Sequence, residues 1–411
     1  MTSIKTVYSE RGSVISKIAF VLGGLATLIT GVVKAEVSWT GEGAIEQRYF
    51  LQQALETRQP RSQLSGYFKP EIYADWNDGN DSLLFRPFYR LDAEDGERSH
   101  GDIRELLWWH GGDSWELKAG IGKVFWGQTE SIHLVDVINQ TDWIEAIDGE
   151  DKLGQPMVSL AWISDYGTFT AFALPYFRER TFPGLDGRLR ASYKIDTDNA
   201  LYESGDEDKH KDWALRWQHT LGDLDLGLSY FTGTAREPIF VPQISETDIR
   251  LLPYYRQMDQ IGLDALMVAG AWLLKLEAIH RKIGDESFYA SVAGFEYTSV
   301  GIFNSQYDIG WLMEYQYDDR DELALTVSQN DVMFGMRIGF NDFSGTEVLI
   351  GYVQDLDYSQ THSAFLEASS RINDRWKWRL ESWLFSGDEP QEPTYYFRRD
   401  DYLQASLEYY F

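Results

Sequence analysis

The chain has no cysteine among its 411 residues. Disulfide stapling and thiolate chemistry are therefore both excluded. It has one long apolar run, Ile18 to Val33. No second stretch of about 20 apolar residues follows, so no further helix can span a bilayer. Proline is scarce, eleven in all, with no Pro-rich linker to separate domains. No fixed-period repeat suggests a propeller or solenoid. Positive charge is in deficit: lysine and arginine number 37 against 65 acidic residues, a net charge of −28. Such a surface repels phosphate backbones and argues against nucleic acid as a partner. Catalytic and metal-binding spacings are missing too. The seven histidines stand in neither metal-binding nor nucleophile-elbow contexts, and there is no EF-hand loop or phosphate-cradling glycine loop. No cofactor, no metal and no enzymatic activity are expected.

What the chain does have begins with a polar segment carrying Lys5 and Arg11, followed by the apolar run and by Val33-Lys34-Ala35. This order of charge, apolar core and small residues reads as a secretory signal peptide over residues 1–35. An uncleaved anchor is the alternative, disfavoured because the core is short for a span. Without residues 1–35 the net charge becomes −31, from 33 basic and 64 acidic side chains. Aromatic residues make up 15%, a high share.

Most of the remainder alternates apolar and polar residues, the signature of strands with one apolar face. Ile261, Leu263, Ala265 and Met267 flank Gly262 and Asp264; Val332, Phe334, Met336 and Ile338 flank Gly335 and Arg337. The last residues do the same, with Leu403, Ala405, Leu407, Tyr409 and Phe411 on one side and Gln404, Ser406, Glu408 and Tyr410 on the other. Strands are expected from near residues 37, 62, 82, 102, 114, 156, 167, 212, 223, 259, 271, 287, 308, 331, 346, 362, 376 and 400. That is about 18 strands, or about 16 if two weak segments merge. Short Gly/Asp/Asn links, such as 77–80, 111–113, 165–167, 222–223 and 373–375, follow even-numbered strands. Long links, such as 125–155, 180–211, 235–258, 319–330 and 387–399, follow odd ones. Only 301–307 is longer than a turn where a turn is due. A terminal strand ending in Phe411 resembles the closing strand of bacterial outer-membrane barrels. That resemblance implies recognition by the barrel-assembly machinery. The expected fold is all-β: one transmembrane antiparallel up-and-down β-barrel over residues 36–411, with lipid on its apolar face. Trp108, Trp109, Trp115, Trp376, Trp378, Tyr409, Tyr410 and Phe411 are expected in its interfacial girdles.

One long segment, residues 125–155, is not strand-like and is too apolar for disorder. Val135, Ile138, Trp143 and Ile147 would be costly in water. Folding into the lumen, where it narrows the pore, is favoured over an external cap. Its candidate constriction residues are Trp126, Glu130, His133, Asp136, Asn139, Asp142, Trp143, Glu145 and Asp148. The runs Asp102-Ile103-Arg104-Glu105, Trp126-Gly127-Gln128-Thr129-Glu130 and Asp136-Val137-Ile138-Asn139-Gln140-Thr141-Asp142 together resemble a large family of porin-like outer-membrane proteins of unassigned function. Gln140 stands where related sequences often carry proline.

If the apolar face meets lipid, Arg86, Arg90, Arg216, Lys275, Arg281, Arg337, Arg371 and Arg379 point inward, and Arg104 joins them as a pore-lining basic residue. A basic wall opposite an acidic loop would set a transverse field and favour small polar or anionic solutes. The same charges could simply hold the loop in place. The leading expectation is therefore an integral outer-membrane channel for passive passage, monomeric or homotrimeric. An enzyme or adhesin acting through its long outer loops is the alternative, or a barrel for export or lipid handling. Ser131, His133 and Asp136 lie close in sequence, but nothing constrains them into a catalytic triad.

Overall fold

The computed structural model describes residues 35–246, 248–320, 324, 326 and 329–411. The expected signal peptide, except Ala35, lies outside the described residues. Strands follow one another along the chain: β1 (Glu36–Phe50), β2 (Ser62–Trp76), β3 (Asp81–Asp92), β4 (Gly101–Gly111), β5 (Trp115–Gly122), β6 (Gln155–Ser164) and β7 (Gly167–Leu174). After the short β8 (Lys194–Ile195) and β9 (Leu201–Tyr202) come β10 (Asp212–Leu221) and β11 (Leu224–Thr234). Then follow β12 (Ile239–Ile244), β13 (Ile249–Tyr255), β14 (Gln257–Ala269), β15 (Trp272–Ile283), β16 (Glu286–Ser299) and β17 (Asp308–Asp318). The chain ends with β18 (Asn330–Gly339), β19 (Glu347–Asp355), β20 (His362–Arg371), β21 (Trp376–Ser386), a single helical turn α1 (Thr394–Phe397) and β22 (Tyr402–Tyr410).

Eighteen of these strands form one antiparallel sheet in which each pairs with the next. β1 pairs with β22 as well as β2, so the sheet closes on itself. Closure leaves no free edge, which a membrane requires of any spanning sheet. β8, β9, β12 and β13 form a separate small sheet within the long links 175–211 and 235–256. Every barrel strand starts within about two residues of its expected position, and the count is eighteen rather than sixteen. Short and long links alternate with three exceptions: 284–285 is short where a long link is due, and 300–307 and 340–346 are long where turns are due.

Side-chain alternation sorts the wall into two faces. Leu215, Leu228, Ile261, Phe334, Leu403 and Leu407 point outward and are exposed. A continuous apolar band of this kind is a lipid-facing surface. Glu46, Arg216, Asp264, Glu277, Glu314 and Glu408 point inward and are buried. Two aromatic residues expected in the girdles face the lumen instead. Trp109 is paired with inward Ser82, and the Tyr410 hydroxyl donates to inward Glu408 at 2.7 Å.

One irregularity matters for the interior. Arg86 pairs with Glu105, but the next residue, Pro87, pairs with Ile103, leaving Arg104 as the extra residue of a β-bulge. A bulge lets two consecutive residues share a face. Arg104 and Glu105 both point into the lumen, where Arg104 meets Asp142 and Glu105 meets Arg86.

Candidate functional site

Residues 123–154 link β5 to β6. Asn139 fastens the two legs of this loop. Its amide nitrogen donates to the carbonyls of Gly122 (2.9 Å) and Leu153 (2.8 Å), and its amide oxygen accepts from Val124 N–H (2.8 Å). Gln140 uses polar contacts that proline lacks: its side chain donates to Arg178 O and accepts from Arg180 Nε. Asp136 pairs with Lys152 at 3.3 Å across the same legs.

The tip then reaches inward-facing carboxylates on the far wall. Glu277 of β15 accepts the N–H groups of Gln128 (2.7 Å), Thr129 (3.1 Å) and Val135 (3.1 Å), and the Thr129 hydroxyl (2.7 Å). Glu314 of β17 accepts the N–H groups of Glu130 and Ser131, each at 2.8 Å. A carboxylate receiving backbone N–H groups makes charge-assisted bonds, stronger than neutral ones. Glu130 itself spans Lys275 (3.5 Å) and Arg337 (2.7 Å). Gly127 leaves the space this needs, since a Cβ there would lie 2.8 Å from His133 Nδ1 and 3.1 Å from Glu277 Oε1.

Between tip and legs lies an apolar core inside the barrel. Trp126, Val135, Val137 and Ile138 pack on Met157, Phe172, Phe231, Met258, Ile279 and Phe288. Those six wall residues face inward, whereas alternation with lipid on the apolar face puts polar residues there. The loop covers them, and all six are buried. Each fully buried loop side chain contributes roughly 1.5–3 kcal/mol. Arg236 closes the core, donating to the carbonyls of Val137 (3.0 Å) and Ile138 (3.1 Å) while paired with Asp212 (2.9 Å).

The loop's return path is tied to the opposite wall. Asp142 meets Arg104 and accepts from the Thr181 hydroxyl at 2.6 Å. Glu145 meets Arg90 at 2.6 Å. His100 lies 3.6 Å from both carboxylates. Burial opposes its protonation, but Asp142 and Glu145 raise its pKa above the usual value. Burial likewise acts against the Asp142 carboxylate, yet His100 and Arg104 hold its pKa well below the ordinary range. His100, Asp142 and Glu145 are close enough to ligate one ion. The guanidinium groups of Arg104 and Arg90 already occupy both carboxylates, so this trio is an ion-pair network.

His133 is also committed to the loop. Its Nε2 lies 2.8 Å from Glu150 and its Nδ1 3.6 Å from Glu277. Burial lowers its pKa, but bonds to the two carboxylates outweigh this and push it up to about 10. Ser131 bonds to Glu314 and Asp136 to Lys152, so the three residues form no triad. Trp126 is buried beneath Phe172 and Arg216 rather than presented to the pore. Trp143 stacks on Phe182 with Arg180 over its ring.

The expected basic wall needs correction. Arg90, Arg104, Arg216, Lys275 and Arg281 are buried under the loop and paired with Glu145, Asp142, Asp264, Glu130 and Glu237. They anchor rather than line an open passage. Arg86, Arg337 and Arg379 stay about 40% exposed, at 39%, 39% and 46%, and each has a carboxylate partner. Arg371 is exposed at the short-turn end, 5.7 Å from the Tyr410 ring. Inward carboxylates match these cations, so the wall has no single sign. Arg337, Glu347, Glu367, Lys377 and Arg379 line a cleft that the loop leaves uncovered. Asp148 is exposed to lumen water but enclosed by the wall. This enclosure, with Glu381, Asp151 and Glu150 nearby, pushes its carboxyl up to about 7.

Alternation alone could not reveal two further features. Glu277 and Glu314 are the loop's strongest anchors, and β15 hints at this only by placing apolar Ile279 on its polar face. The long-loop end also carries a strap. Residues 183–190 cross from the β7 side to the β1–β22 seam, where Arg188 pairs with Asp400 (2.6 Å) and Arg190 with Glu56 (2.8 Å). Leu189 there packs with Phe50, Phe385 and Tyr402.

No family model matches the chain, and no curated protein does. Among solved structures, a BenF-like porin from Pseudomonas fluorescens Pf-5 aligns over 92% of this chain and 98% of its own, at 9% identity and a TM-score of 0.53. OmpT, an outer membrane protein of Vibrio cholerae, aligns in its trimer form over 92% and 99% at 10% identity, TM-score 0.47. A mutant Rh. blastica porin aligns over 92% and 100% at 12% identity, TM-score 0.45. The first of these supports the barrel fold.

Proposed function

We propose that this protein is an integral outer-membrane channel through which small polar solutes diffuse passively, with residues 123–154 as its constriction. The observation that carries this reading is the loop itself. It lies within a closed eighteen-strand barrel, tied to inward-facing Glu277 and Glu314. The outward apolar band suits a lipid bilayer. The uncovered part of the wall carries Arg86, Arg337 and Arg379, each beside a carboxylate (Glu71, Glu130 and Glu408), so a passing solute meets both signs of charge. Charged walls at a narrowing select among solutes. This pairing favours polar solutes generally and gives anions no special advantage.

Planar bilayers test the proposal. Purified protein should insert and give stable ohmic steps, and correctly folded protein that never conducts overturns it. Steps arriving in threes support a homotrimer; single unitary steps support a monomer.

A further inference from the structure

We propose that the cleft across β18–β21 is a subsite for a zwitterionic solute, with its ammonium group at Glu367 and its carboxylate at Arg379 and Lys377. The inference deepens the channel reading and rests on it in one respect: the solute reaches the cleft through the lumen. The cleft has a volume of about 440 Å³ and opens to the lumen, a size suited to small molecules. Arg337, Glu347, Glu367, Lys377 and Arg379 all line it, so opposite charges share one space. Pairing across the strands sorts these charges into rows. Glu367 of β20 stands opposite Glu381 of β21, and four residues nearer the short-turn end Arg371 stands opposite Lys377. Four residues of strand span about 13 Å. Like charges directly opposite on neighbouring strands repel, so one row attracts a cation and the other an anion.

Neither row is neutralised by an ion pair among the described residues. Glu381 accepts from neutral donors, the Tyr402 hydroxyl and the Gln404 amide. The side chains of Glu367 and Lys377, both half-buried, make no hydrogen bond or ion pair among the described residues. Arg379 lies between the rows, bonded to Glu408 at 3.0 Å and still 46% exposed. Glu347, the other carboxylate of the cleft, accepts the Ser369 hydroxyl at 3.2 Å.

A second, independent feature lies just beyond the acidic row. Phe365, the next inward residue of β20, lies over Gly351, where a Cβ would come 2.1 Å from its ring. It stacks on Trp383, directly opposite on β21, at 5.1 Å. Both rings are half-buried, and among the described residues no cation lies over either. The faces of aromatic rings attract cations, and quaternary ammonium groups are recognised this way. Rings and carboxylates at one end, with bases at the other, match a solute carrying both charges on a short carbon chain. A lone anion meets the acidic row, and a lone cation the basic one.

Equilibrium dialysis of full-length protein in detergent against labelled γ-butyrobetaine tests the site without requiring passage. Saturable binding is expected, about tenfold or more tighter than for choline or butyrate, which each carry one of the two charges. Glu367→Gln should weaken γ-butyrobetaine and choline by about tenfold without weakening butyrate. Lys377→Gln should weaken γ-butyrobetaine and butyrate without weakening choline. Heat-modifiable gel mobility shows that each variant folds, and Lys377→Gln carries the test if Glu367→Gln does not. No saturable binding to the parent overturns the inference, as do equal affinities for γ-butyrobetaine and butyrate, or undiminished binding in both variants. Ohmic steps without binding sink the subsite alone; binding without conductance upholds the subsite and sinks the channel.

Discussion

Gly41 and Phe411 exchange both backbone hydrogen bonds, Gly41 N–H to Phe411 O at 3.2 Å and Phe411 N–H to Gly41 O at 3.1 Å. The Phe411 ring lies over Gly41, stacked on Phe68 at 5.6 Å and tilted against Trp39 at 5.5 Å. A Cβ on Gly41 would come within 2.6 Å of the Phe411 ring and 2.8 Å of the β2 backbone. The last residue therefore seats on the first strand only because that strand offers a glycine. Gly41→Val should slow barrel closure, and deletion of Phe411 should impair assembly further. Both are read as the fraction of heat-modifiable protein after refolding. Normal assembly of both variants would show that this seam does not control closure.

Glu277 should be the most sensitive single anchor of the loop. Glu277→Gln keeps the shape but loses the charge that receives three N–H groups and a hydroxyl. Hydrogen bonds to a charged group contribute about 1.5–3 kcal/mol each. The barrel wall should stay folded while the loop tip comes loose. Single-channel recordings should show higher open-state noise and larger conductance. Quiet traces of unchanged size would mean that the apolar core alone holds the loop.

Strand positions were legible in the sequence because a period of two survives wherever one face meets lipid. The outward sets of β14, β18, β21 and β22 follow from their residues alone. The same rule misplaced the inner surface. Phe172, Phe231 and Ile279 face inward because a distant loop covers them, and alternation within a strand carries no signal of that cover. The motif around residues 136–142 marked the loop as special. Its residues turned out to fasten the loop: Asn139 joins its legs, and Asp142 ties it to Arg104. Nor could the bulge that turns both Arg104 and Glu105 inward be foreseen, since a bulge depends on the partner strand's register.

His133 gives the loop a defined response to alkali. Its pKa is about 10 in the folded protein against an ordinary value near 6.5. A raised value means that the protonated form is the stabilised one. The contribution is complete below about pH 6.5 and is lost as pH rises through about 10. Conductance and noise should therefore show no loosening of the loop up to about pH 8 and should rise near pH 10. In His133→Gln that alkaline transition should vanish. A wild-type transition that survives the substitution belongs to another group.

Asp148 titrates in a different range and affects selectivity instead of anchoring. Confinement and the neighbouring carboxylates hold its pKa at about 7. Below that pH the side chain is neutral; above it the lumen gains one negative charge. Reversal potentials in a salt gradient should move towards cations between about pH 6 and pH 8. Asp148→Asn should flatten the change, and an equally steep shift in that variant would sink the assignment.

Arg337 and Arg216 separate the two roles that inward basic residues can play. Arg337 is 39% exposed on the uncovered wall and balances Glu130 and Glu296. Arg337→Ala leaves those carboxylates facing the passage, so the reversal potential should shift towards cations. Screening by lumen water keeps the stability cost of losing so exposed a pair to about 1 kcal/mol or less. Arg216 is buried, lies over the Trp126 ring and pairs with Asp264 at 2.8 Å. Breaking a buried pair costs about 3–5 kcal/mol, so Arg216→Ala should lower thermal stability and disturb the loop core with little direct effect on ion preference. If Arg216→Ala shifted selectivity as much as Arg337→Ala while the barrel stayed equally stable, the buried residues would be part of the conducting wall, and the division between anchors and lining would fail.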